Sequence, residues 1–161
     1  MPISLRPLRG APQLKRDPLG CPIGIGMDPD ATLNELEGAG WADPIVDSPM
    51  VKRIRALGQV PLREFMAEDY RLIISQQRAL RTLVPLALEL LESDPFADGD
   101  FYVGDLLVAV AKVRQEFWAA NPSLRARVKL VLAAAIARVD ELDETDRSML
   151  EPGIRAKYDE F

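Results

Sequence analysis

The run Thr82-Leu83-Val84-Pro85-Leu86-Ala87-Leu88-Glu89-Leu90-Leu91 decides the fold. It is apolar on nearly every side of a helix, and a helix without a polar face is stable only where other elements wrap it. Thr82 stands where a capping hydroxyl belongs, and Pro85 is tolerated in the first turn of a helix begun there. This segment is therefore the expected centre of an all-α bundle.

Working outward, the flanking segments carry helical signals on both sides. Upstream, Thr32-Leu33-Asn34-Glu35 has the form of a capping box, and the short helix it opens ends near Gly38. Trp41 and Pro44 mark an extended loop. Ser48-Pro49 is an N-cap followed by proline at the first helical position, with Gly58 at the expected end. Glu68-Asp69 places two carboxylates at a helix start, followed by Tyr70, Ile73, Ile74 and Gln77 at helical spacing. Only Val60–Phe65 has any character of a strand.

Downstream, Asp94-Pro95 breaks the chain, and Asp94–Gly104 is a polar and aromatic loop. Gly104-Asp105 opens a helix with Leu106, Leu107, Val110, Val113 and Phe117, expected to end near Asn121-Pro122. Ser123 begins a long amphipathic helix with Leu124, Val128, Val131, Ala135, Val139 and Leu142 at three- and four-residue steps. Thr145–Leu150 predicts a short last helix, broken by Pro152-Gly153. The sum is a compact single-domain bundle of about six or seven helices over residues 27–161.

Residues 1–26 read differently, with prolines 2, 7, 12, 18 and 22, glycines 10, 20, 24 and 26, and no helical periodicity. They are expected to be a disordered or loosely attached leader, and Met27 is an alternative start. This segment holds Arg6, Arg9, Lys15 and Arg16 against Asp17, a net +3. The whole chain of 161 residues carries −5, so the remainder stands at −8. Such a domain repels nucleic acid and favours a basic partner. Acidity that serves solubility alone is the simpler alternative.

The chemistry is defined by what the composition lacks. With no histidine, the usual general base, nucleophile activator and metal ligand are all missing. The single cysteine, Cys21, has no internal partner and fits a reducing, cytoplasmic compartment. No apolar run reaches membrane-spanning length. Asp94, Asp98, Gly99, Asp100 and Asp105 fall on positions of a calcium-binding loop, but Phe96 occupies a ligand position and Asp105 is shorter than the usual glutamate. The alternative reading on these residues is a small metal- or carboxylate-dependent hydrolase using the Asp94–Asp105 loop. Neither cofactor nor metal is expected otherwise.

Several stretches taken in order resemble one family. They are Thr32-Leu33-Asn34-Glu35-Leu36-Glu37, Pro61-Leu62-Arg63-Glu64-Phe65, Glu68-Asp69-Tyr70-Arg71-Leu72-Ile73-Ile74 and Leu83-Val84-Pro85-Leu86-Ala87-Leu88-Glu89. Asp94-Pro95, Gly99-Asp100-Phe101-Tyr102, Gly104-Asp105-Leu106-Leu107 and Phe117-Trp118 complete the order. The chain resembles, over roughly residues 31–143, the immunity proteins of bacterial contact-dependent growth inhibition (CDI) systems. Met66 departs from the pattern, standing where a capping threonine is expected in relatives.

The resemblance implies a cytoplasmic, non-enzymatic protein. It would bind the toxic C-terminal domain delivered by a neighbouring cell and cover or distort its active site. Many such toxins are nucleases with basic clefts, which an acidic inhibitor suits. The free protein is expected to be a monomer or weak homodimer. The resemblance gives no interface positions, so those rest on the residues alone. Glu68, Asp69, Asp98, Asp100, Tyr102 and Asp105, the acidic loop and its adjoining helix starts, are the expected toxin-binding residues. The competing reading has Phe101 packed inward and Asp105 serving only as a helix cap.

Overall fold

A computed structural model describes residues 27–38, 40–42 and 47–161. The expected leader, Cys21 and Pro44 lie outside the described residues. Eight α-helices are present among the described residues: α1 Leu33–Glu37, α2 Pro49–Leu57, α3 Ala67–Ser75, α4 Leu80–Ser93, α5 Asp105–Ala111, α6 Gln115–Ala120, α7 Pro122–Arg138 and α8 Glu144–Glu160. The described residues contain no strand. Val60–Phe65 makes one isolated bridge, Thr32 to Pro61, and a 3-10 turn at Leu62–Glu64. None of the described helices is long and apolar enough to cross a membrane.

Two of the expected N-caps form, at Thr32 and Ser48. Thr32 Oγ1 accepts from the Glu35 amide at 3.3 Å while Glu35 accepts from the Thr32 amide at 2.7 Å, so both ends of the capping box close. Ser48 Oγ accepts from Val51 at 3.3 Å, with Pro49 following it. Gly58 closes α2 in right-handed rather than left-handed backbone.

Helix α4 is buried at nine of its fourteen positions and packs against α3, α5 and α7. Its start differs from expectation. Ala79, in left-handed backbone, precedes Leu80, so Thr82 lies inside the helix. The Thr82 hydroxyl instead donates to Glu37 and ties α4 to α1. Pro85 consequently sits beyond the first turn. The enclosed centre is shared with α5, all seven residues of which are buried among α3, α4, α7 and α8.

Helix α7 ends at Arg138, with Val139 in a 3-10 turn, short of the expected Leu142. Three further boundaries depart from the sequence pattern where packing or a distant contact overrides local periodicity. Gln77 leaves α3 with φ 56°. Its side chain accepts from the Arg114 amide at 3.0 Å and donates to the Lys112 carbonyl at 3.4 Å. Those two groups belong to the break that divides the expected single helix after Gly104 into α5 and α6. Past the break, Trp118 turns inward, its indole donating to Val113 O at 3.0 Å and its ring lying edge-on to Phe117 and Phe161.

The third departure is α8, which runs through Pro152-Gly153 to Glu160 instead of stopping near Leu150. An interior proline costs about 3 kcal/mol. Leu150 and Ile154 on either side of it are fully buried. Each such burial contributes about 1.5–3 kcal/mol, so packing outweighs the missing hydrogen bond. Asp143 starts the helix by accepting from the Asp146 amide at 2.9 Å.

Candidate functional site

The 94–104 loop is built on carboxylates that take its own amides. Asp94 Oδ1 accepts from Phe96 N at 3.0 Å, turning the chain as it leaves α4. Pro95 and Ala97 are buried beneath the turn. The Gly104 amide donates to Phe96 O at 3.2 Å and closes the loop at its base. Gly104 has φ +80°, and a Cβ there would lie 2.8 Å from Leu150, so a side chain fits neither the backbone nor the space.

Asp105 is 3% exposed at the start of α5. Its carboxylate accepts from Gly99 N at 2.6 Å and Phe101 N at 3.1 Å. Across from it, Glu68 on α3 is 8% exposed and accepts from Asp100 N at 2.9 Å. Arg71, one turn along α3, joins the two acids. It grips Glu68 with two bonds of 2.6 and 2.7 Å, and its Nε lies 3.7 Å from Asp105. The Phe101 ring lies over the same guanidinium, its centroid 4.3 Å from Arg71 Cζ. A side chain at Gly99 would drive its Cβ into Glu68 Oε2, so only glycine passes over this knot.

Burial pushes the Glu68 carboxyl upward, but the Arg71 bonds, the Asp100 amide and the charges of Arg71 and Arg53 outweigh it and hold it below the ordinary glutamate value. Asp105 goes the other way. Its deeper burial dominates, and the Gly99 and Phe101 amides, the Arg71 charge and the Tyr102 amide offset it only in part. Burial and then the Asp105 charge likewise raise the Tyr102 phenol.

The six expected residues therefore come together, but in two roles. Glu68 and Asp105 face inward and hold the loop. Asp69 accepts from the Met66 amide at 2.9 Å and starts α3, where Met66 offers no capping oxygen. Asp98 is exposed, Tyr102 is half-buried, and the Asp100 side chain is 66% exposed. Phe101 does not pack inward; it is 71% exposed. Asp105 binds loop amides rather than only capping its helix. Arg53 of α2 lies 3.9 Å from Glu68, 3.5 Å from Asp69 and 3.8 Å from Asp100.

Arg53 and Arg71 are not among the expected site residues, and Gly99 is expected only as a position of the calcium-binding loop, not as the residue that clears Glu68. For Arg71 a signal existed, its i, i+3 spacing from Glu68 on one helix face. The calcium-loop alignment has no counterpart in the geometry, because Asp94 and Asp105 point at amides. Among the described residues no group of three acids, cysteines or histidines is arranged to hold a metal ion.

Residues 35–128, more than half the chain, match the sequence family described as CDI immunity proteins. The chain belongs to that family. The matched span takes in α2 to α6 and most of α1, and with them the whole Glu68–Arg71–Asp105 knot and the loop it carries. Neither the curated proteins nor the solved structures compared with this CDI immunity protein yield a match.

Proposed function

We propose that this CDI immunity protein neutralises the toxic C-terminal domain of a cognate toxin by one-to-one binding in the cytoplasm, with no catalytic step of its own. The observation that carries the reading is the division of labour in the acidic loop. Glu68, Arg71 and Asp105 fix its backbone from within, while Asp98 and Asp100 are left facing outward beside Tyr102. A surface that is ordered before contact loses little entropy on binding. Asp69, at the adjoining helix start, pairs with Arg53 and is only 14% exposed at its side chain, so it contributes at the edge of that face.

The net charge of −8 outside the first 26 residues steers such a face toward a basic target. A nuclease toxin fits that chemistry, since its cleft must attract phosphate. The carboxylates of Asp98 and Asp100 would then lie where substrate phosphates bind. The free protein is a monomer or a weak homodimer in this reading.

Co-expression tests it directly. The probe is the C-terminal domain of the protein encoded immediately upstream. Cells making that domain alone should stop growing, and cells also making this chain should recover, with the two proteins co-purifying at equal stoichiometry. Growth arrest that persists in the presence of the folded chain would refute the reading.

A further inference from the structure

Three of the large apolar side chains left exposed stand on the three segments that meet at Arg53. Phe101 is the most exposed of the three, Met66 follows, and Met50 is the least exposed. Arg53 reaches Asp69 and Asp100, which brings the α2 face, the α3 start and the loop to one place. Met50 lies one turn before Arg53 on α2. Met66 is bonded through its amide to Asp69, and Phe101 follows Asp100 directly. Exposed apolar groups gathered within a charged rim mark contact surfaces, whereas isolated ones need no explanation.

Phe101 differs from the other exposed apolar residues in how it is held. Its ring rests on the Arg71 guanidinium, which Glu68 grips with two bonds. Its own amide is fixed to Asp105. An aromatic side chain that is outward, rigid and rimmed by Asp98 and Asp100 has the character of a binding anchor. We propose that Phe101 is the anchor of the toxin interface. In this arrangement it enters an apolar depression on the toxin domain whose rim carries lysine or arginine, with Met50 and Met66 covering its flank. Arg71 is the positioning residue beneath it. The rim carboxylates outnumber Arg53, and this sets the sign of the partner. The inference rests on the toxin-binding reading above and assigns the surface that performs it.

The test measures binding of the full chain to the upstream-encoded C-terminal domain, with circular dichroism to confirm folding. Phe101→Ala removes an exposed ring, so the fold should survive, and affinity should fall roughly 100-fold. Asp98→Asn with Asp100→Asn should slow association about tenfold at low salt, with the difference vanishing at high salt. Leu130→Ala is the control, since Leu130 on α7 is also 71% exposed but has no part in this surface. It should bind as the unaltered chain does. If the unaltered chain binds and Phe101→Ala binds equally well, the anchor assignment is wrong while toxin binding stands. If the unaltered chain does not bind at all, both fall.

Discussion

The knot around Arg71 and the ladder along α8 use the same side chains at different depths. In the knot, Arg71 lies between Glu68 and Asp105, all three largely out of water; both Asp105 oxygens and Glu68 Oε2 accept from loop amides, and Glu68 Oε1 accepts from Arg71. Along α8, Glu151 accepts from Arg147 at 2.8 Å and Arg155 at 2.7 Å, and Arg147 lies 2.6 Å from Asp140. The distances are as short in the ladder as in the knot. Its arginines and Asp140 are nevertheless exposed, so solvent and salt screen what the geometry offers. Distance alone does not rank ion pairs. What ranks them is the consequence of removing one partner, which is severe only where the remaining charge stays buried.

Replacing Arg71 by methionine should produce the largest difference between the two regions. Asp105 would lose its cation and Glu68 would keep only the half-exposed Arg53 at 3.9 Å, at a cost of about 3 kcal/mol. Urea denaturation reads this as a lower midpoint, and protection against the toxin domain should be lost as the loop relaxes. An Arg71→Met variant as stable as the unaltered chain would remove the basis of the comparison.

The pH dependence follows from the same knot. Glu68 is held below its ordinary value of 4.5, so its stabilisation is present above that pH and fades as the pH falls through its folded value. Asp105 is raised, so its contribution has the opposite sign and is lost as the pH rises through its folded value. The two partly cancel in the acid range. Glu68→Gln removes the first and keeps the second, so its stability should fall less steeply than that of the unaltered chain between about pH 5 and about pH 3. An unchanged slope in urea midpoints taken across that range would place the acid sensitivity elsewhere.

A smaller, opposite effect is expected at the head of α3. Met66 has extended backbone at the N-cap, with φ −98° and ψ 166°, and is half exposed, yet its side chain supplies no capping oxygen. Met66→Thr should stabilise the protein by about 1 kcal/mol, read as a higher melting temperature. No gain would mean that Asp69 already satisfies this helix start. The smallest effect belongs to the ladder. Glu151→Ala should leave the urea midpoint where it was, and a loss comparable to that of Arg71→Met would show that depth does not separate the two clusters.

Local signals in the sequence were legible where the structure is local. The Thr32–Glu35 box, the Ser48-Pro49 start and the buried character of α4 each depend on residues within a few positions of one another. The division of α5 from α6 depends on Gln77, 37 positions before the Arg114 amide it accepts from. The passage of α8 through Pro152 depends on how Leu150 and Ile154 are buried, which periodicity around a proline does not reveal. The site divides in the same way. Its acidic residues were visible as a cluster, but the inward role of Glu68 comes from an amide 32 positions away at Asp100. Arg71 and Gly99 acquire their roles only once the loop has closed over α3.

Hydroxyl-radical footprinting of the full chain, free and with the upstream-encoded toxin domain, tests the central claim most directly. It reads the exposure of individual methionine and phenylalanine side chains. The account predicts that the toxin domain shields Phe101, Met66 and Met50 and leaves Met149 on α8 as reactive as before. Shielding of Met149 with Phe101 still fully reactive would place the interface along α8 instead and contradict this assignment.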